Sequence, residues 1–116
     1  MTELTVVAYN VLFGDAILIC IPERSGQKTV TRHVLIDVGN VLGRSDKNAR
    51  VFRSVFADIN RRLDGRPVDL YVMTHEHMDH VHGLLRAQRE GYQLPSIDYA
   101  WLTASADPTY YNVSSR

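Results

Sequence analysis

Four of the chain's five histidines fall between positions 75 and 82, in Thr74-His75-Glu76-His77-Met78-Asp79-His80-Val81-His82-Gly83-Leu84. No other feature constrains the fold as strongly. Imidazoles titrate near neutral pH, and crowded ones repel each other once protonated. A bound metal removes that conflict, because it takes the unprotonated nitrogen as its ligand. The run before the cluster, Val68 to Thr74, is apolar enough to read as a buried strand. A chain leaving a strand stays extended for a few residues, so positions i, i+2 and i+4 point to one side. His75, His77 and Asp79 then converge, Glu76 and Met78 point away, and His80 opens the next helix and turns back. The spacing therefore predicts His75 and His77 on one metal ion and Asp79 with His80 on a second. Nitrogen and carboxylate donors of this kind favour zinc, with manganese or iron as alternatives. The carboxyl end of a buried strand is also where ligand crevices form in α/β sheets.

Two familiar zinc patterns do not fit the cluster. The zinc-protease pattern H-E-x-x-H needs histidine at position 79, where the chain has Asp79. A Cys/His finger cannot be built with the single cysteine, Cys20. A loop of solvated histidines with Asp79 as a helix cap accounts for Asp79 but not for the spacing of the histidines. His82 lies past the cluster, one helical turn deep, and reads as structural. His33 sits inside a strand and reads the same way.

The rest of the chain supplies a scaffold. Leu4 to Leu12 reads as a strand and Gly14-Asp15 as a turn. Ala16 to Ile21 is a continuous apolar run, expected to be a strand buried on both faces. Pro22 to Lys28 is polar and turn-rich and reads as a hairpin loop, with Val30 to Val38 as the return strand. Ser45 or Asp46 caps a helix over Asn48 to Leu63, in which Val51, Phe52, Val55, Phe56, Ile59 and Leu63 form one apolar stripe. Gly65 ends it and Pro67 prevents its continuation. Asp79 to Arg89 reads as a second helix and Ile97 to Thr103 as a further strand, while 104–116 has no clear pattern. The expected class is α/β: a mixed sheet with helices on one face, in one domain spanning 1–116. The second face of the sheet must also be hidden.

At this point the chain resembles the metallo-β-lactamase superfamily of metal-dependent hydrolases. His75-Glu76-His77-Met78-Asp79-His80 matches its H-x-H-x-D-H signature in full, after a strand and before a helix. Leu35-Ile36-Asp37-Val38-Gly39 is similar to the family's earlier strand ending in D-x-G. Asn10 to Ile19 is similar to the opening hairpin of the branch that includes competence-type DNA-uptake proteins. The resemblance implies half of a four-layer αββα sandwich, the N-terminal half. It implies His75 and His77 as ligands of the first metal, Asp79 and His80 as ligands of the second, and Asp37 bracing their loop from behind. Without the resemblance, Asp37 is equally a turn residue at a strand end. The implied chemistry is hydrolysis by a hydroxide whose pKa one or two metals lower from 15.7 toward about 7, with Asp79 orienting the nucleophile or taking its proton. Histidine rather than glutamate at position 77 favours hydrolysis over the diiron oxygen-reducing branch. The chain departs from the family in having His82-Gly83 where Gly-Gly is frequent, and in having no histidine after His82. The family's remaining ligands lie downstream, so the expected site is incomplete.

Three readings follow. The first is a truncated portion of a metallo-hydrolase. The second is a half-domain that works as a binding module, with a second copy or a partner chain over the open sheet face. The third is a fragment of a nucleic-acid phosphodiesterase. Composition bears on the third: 13 Lys+Arg against 13 Asp+Glu leaves no net charge, whereas backbone-binding proteins carry a basic excess or stripe. The densest basic group, Arg61, Arg62 and Arg66, reads as a solvated helix end. One cysteine excludes an intrachain disulfide scaffold, and Cys20 is expected to be a small buried apolar residue. Glu3 and the lack of early positive charge argue against a signal peptide, and Asn10 and Asp15 interrupt the apolar stretch near the N-terminus. The expected location is the cytoplasm.

Overall fold

A computed structural model of the chain describes residues 3–11, 14–39, 51–74 and 93–102. These form strands β1 (Thr5–Ala8), β2 (Ala16–Ser25) and β3 (Lys28–Val38), helix α1 (Val51–Leu63), and strands β4 (Val68–Val72) and β5 (Ile97–Trp101). The strands make one five-stranded sheet in the order β1-β2-β3-β4-β5. β1 pairs with β2 and β2 with β3 in antiparallel fashion, while β4 is parallel to both β3 and β5. This is the mixed sheet of the expected α/β class. The predicted helix over Asp79 to Arg89, the caps Ser45 and Asp46, and the tail lie outside the described residues.

The hairpin differs from the sequence expectation. Instead of a loop over Pro22 to Lys28, β2 continues to Ser25, and Ser25 pairs with Lys28. Only Gly26 and Gln27 turn the chain. Gly26 takes φ 65°, as the first loop position of a type II′ hairpin requires. Pro22 is tolerated because β1 reaches only as far as Cys20, so a missing N–H on that side forfeits no ladder bond. Polar composition alone did not distinguish a loop from an exposed two-stranded ribbon.

Helix α1 buries Phe52, Val55, Phe56, Ile59 and Leu63, the predicted stripe with Val51 at its margin. It ends through Asp64 (φ 51°) and Gly65 (φ 83°), with the Arg66 amide donating to the Leu63 carbonyl at 3.0 Å. α1 lies in the connection between the parallel strands β3 and β4 and packs against one face of the sheet. That face carries Leu18, Cys20, Leu35 and Tyr71, all buried. Cys20 is fully enclosed, as expected for a small apolar side chain. In β2 the burial alternates: Ala16, Leu18 and Cys20 are buried, Ile17 and Ile19 are half-buried, and Ile21 is exposed. The run is therefore covered on one face, not on both. The reason is topological, since α1, the only helix among the described residues, packs against one side of the sheet. No helix among the described residues is long and apolar enough to cross a membrane.

Hydrogen bonds fasten the helix to the sheet. The Tyr9 hydroxyl donates to Asp58 Oδ2 at 2.6 Å, and the same carboxylate accepts from Arg61 and Arg62. The first two members of the basic group are thus paired within α1. His33 is buried in the core, and its ring Nδ1 has no partner among the described residues. Its backbone amide donates to Asp69 Oδ2 at 2.7 Å.

Candidate metal centre

The parallel register Val34↔Leu70, Leu35↔Tyr71 and Ile36↔Val72 brings the carboxyl ends of β3 and β4 side by side. The Met73 amide donates to the Trp101 carbonyl at 2.9 Å, so the end of β5 joins them. From the other side, the Gly39 amide donates to the Asp15 carbonyl at 3.0 Å, which closes the turn before β2 onto the same end of the sheet. This is the edge at which open α/β sheets bind ligands.

Asp37 sits at the centre of this edge in an unusual backbone state. Ile17 pairs with Ile36 and Ala16 with Val38, so Asp37 is the extra residue of a β-bulge. Its φ is 55°, in the left-handed region that only a few non-glycine residues tolerate, aspartate among them. Strain of this type costs on the order of 1–3 kcal/mol and persists only where the surroundings over-determine it. The bulge turns the carboxylate inward, and Asp37 is 1% exposed. Oδ1 accepts from the Thr74 amide at 2.9 Å and Oδ2 from the Thr74 hydroxyl at 2.7 Å. Both oxygens thereby hold one residue, the last before His75. Asp37 thus bends its own strand and accepts two hydrogen bonds from Thr74 just beyond β4; the loop that the second sequence reading has it brace lies outside the described residues.

Tyr71 completes the described part of the site. It is buried, and its hydroxyl has no partner among the described residues. Its pKa is pushed up to about 12, first by burial and then by the charge of Asp37. A buried phenol that stays protonated beside a carboxylate adds no second negative charge to this edge.

His75, His77, Asp79 and His80 lie outside the described residues, as does His82. Among the described residues, no group of three or more His, Cys, Asp or Glu side chains is placed to hold a metal. The candidate ligands all follow Thr74 directly. What the structure brings together is their base: Asp37 from β3 and Thr74 at the end of β4. Thr74 was not singled out by sequence reasoning. The available signal was a hydroxyl residue immediately before the first histidine of the motif, able to satisfy the second oxygen of a buried carboxylate. No family model, no curated protein and no solved structure matches the chain.

Proposed function

We propose that the chain carries the metal-binding portion of a hydrolase of the metallo-β-lactamase superfamily, the N-terminal half of its αββα sandwich. The observation that carries this reading is the clamp from Asp37 to Thr74, a strained, buried carboxylate fixing the residue that precedes the H-x-H-x-D-H stretch. A bulge of this type costs stability and persists only where the surrounding structure over-determines it, as it does at sites that must be held still. The donor chemistry of the segment it anchors suits zinc: three imidazoles and one carboxylate. When bound, the metal supplies Lewis-acid activation of water and of the scissile group. His75 and His77 hold the first ion, and Asp79 with His80 holds the second. Asp37 limits the motion of the strand end from which these ligands start, and so their spacing. Asp79 is the carboxylate able to orient water or accept its proton. Four protein ligands shared between two ions leave each under-coordinated, so affinity in this chain is expected to be weak. The buried, unpaired Cys20 supports a reducing, cytoplasmic setting.

The test is zinc binding by chain purified free of metal, followed by competition with a chromophoric chelator and by elemental analysis after gel filtration. The expected result is weak, substoichiometric retention that His75→Ala or His77→Ala abolishes and His82→Ala leaves intact. Asp37→Asn, which weakens the brace without touching a ligand, lowers affinity about 10–100-fold. No zinc binding, or binding that survives His75→Ala, refutes the metal reading. Tight two-metal binding by a monomer refutes the incomplete site.

A further inference from the structure

The middle of β3 carries a buried polar group that the metal-binding edge does not use. His33 is 2% exposed, and its register partner in β2 is Cys20, enclosed beneath α1. The imidazole bonds the backbone of Arg62, in the last turn of α1. Nδ1 has no partner among the described residues, so Nε2–H is the donor and the Arg62 carbonyl the acceptor. Little countercharge is free to serve this ring. Asp69 on β4 attracts an imidazolium, but its Oδ2 already accepts from the His33 amide and its Oδ1 from Arg32. Arg66, just past α1, repels one. On α1, Asp58 is bonded to Arg61 and Arg62 and to the Tyr9 hydroxyl beyond β1. Burial raises the Cys20 thiol pKa, so the thiol stays neutral.

We propose that His33 is an acid-sensitive latch between sheet and helix: when Nδ1 gains a proton, the last turn of α1 lifts from β3 and the sheet stays intact. The bond to Arg62 is made in either state. Nδ1 is what changes, from a bare lone pair to a buried N–H without an acceptor, on a ring that is now charged. Reaching water relieves both, and the element that gives way is the one with fewer ties. β3 is held on both sides by ladders to β2 and β4. Beyond the Arg62 carbonyl, the helix end is fastened by the Asp64 amide on the Asn60 carbonyl at 3.2 Å and the Arg66 amide on the Leu63 carbonyl at 3.0 Å. Lifting this turn exposes Leu63 and those two bonds, far less than unfolding exposes. Burial holds the closed imidazole below its ordinary pKa, with Arg66 adding to the effect and Asp69 and the Arg62 carbonyl opposing it. The opened ring titrates near 6.5. The closed form is therefore fully favoured above that value. Below it, opening grows by up to about tenfold per pH unit until the closed ring charges too. His33 precedes Asp37 by about 13 Å along β3, and the latch works whether or not metal is bound.

Native-state hydrogen exchange of the full chain, followed by NMR at low urea between about pH 7.5 and 5, tests this. The Asp64 and Arg66 amides report the turn, and amides in the β2–β3 ladder report the sheet. After correction for intrinsic rates, opening at Asp64 and Arg66 should rise by up to about tenfold per pH unit below about 6.5 and respond little to urea. The ladder amides should open with the full urea dependence of global unfolding. His33→Gln keeps a donor where Nε2 stands and cannot titrate, so it should flatten the pH dependence at Asp64 and Arg66. The ring resonances of His33 check the same point without a substitution, by titrating below the ordinary imidazole value. A ring that titrates at its ordinary value overturns the proposal, as does opening at Asp64 and Arg66 that ignores pH. So does a pH dependence that survives His33→Gln, and so do turn amides that share the urea dependence of the ladder.

Discussion

Substituting Asp37 three ways separates the two parts it plays at the sheet edge. Asp37→Ala removes both acceptors from Thr74 and leaves the backbone at φ 55°. Asp37→Gly removes the same acceptors but suits that backbone. Asp37→Asn keeps one acceptor and tolerates the left-handed region. A hydrogen bond to a carboxylate contributes about 1.5–3 kcal/mol. Thr74 is itself exposed, so water replaces part of what is lost. The lower end of the range then applies, and the two bonds together come to about 3 kcal/mol. Alanine held in the left-handed region costs about 1 kcal/mol more than glycine there. The expected losses are about 3–4 kcal/mol for alanine, 2–3 for glycine and 1–2 for asparagine. Urea denaturation followed by far-ultraviolet circular dichroism, extrapolated linearly to water, measures all three. If the alanine variant is as stable as the glycine variant, the strained bulge is wrong. If alanine costs under about 1 kcal/mol, the clamp on Thr74 contributes too little to brace anything.

Phe56→Ala empties a fully enclosed position on α1 and should cost about 3–5 kcal/mol by chemical denaturation. Tyr9→Phe removes the hydroxyl that donates to Asp58 and should cost about 2 kcal/mol; a double-mutant cycle with Asp58→Asn should recover most of that as coupling. Burial pushes the His33 imidazole below its ordinary pKa, against the charge of Asp69 and with that of Arg66. The unfolded chain then takes up a proton near pH 6.5 that the folded chain takes up only lower, so the contribution is whole above that range and is lost as pH falls through it. The urea midpoint should therefore drop between about pH 7.5 and 5.5, and His33→Asn should make the drop smaller; an equal drop in both would show that the remaining histidines account for it.

Periodicity made much of the scaffold legible. The stripe from Phe52 to Leu63 is long and regular, and a helix of that pattern has only one face to bury. The strands at Ala16, Val68 and Ile97 started where the apolar runs start. The extent of the hairpin was not legible, because whether Glu23 and Arg24 form a loop or a ribbon depends on their partners across the turn. Nor was the bulge, since it exists only as a mismatch between β2 and β3.

Local facts were already written in the order of the residues: which segments are strand or helix, that Cys20 and the helix stripe go inside, and that a set of histidines and an aspartate follows a buried strand. Those follow from side-chain chemistry and spacing, which any short stretch of chain contains. It took the assembled fold to put Asp37 and Thr74, 37 positions apart, into two shared hydrogen bonds, and to set α1 against one face of the sheet. Register and strand order settle such matters, and both are relations between segments that no segment encodes on its own.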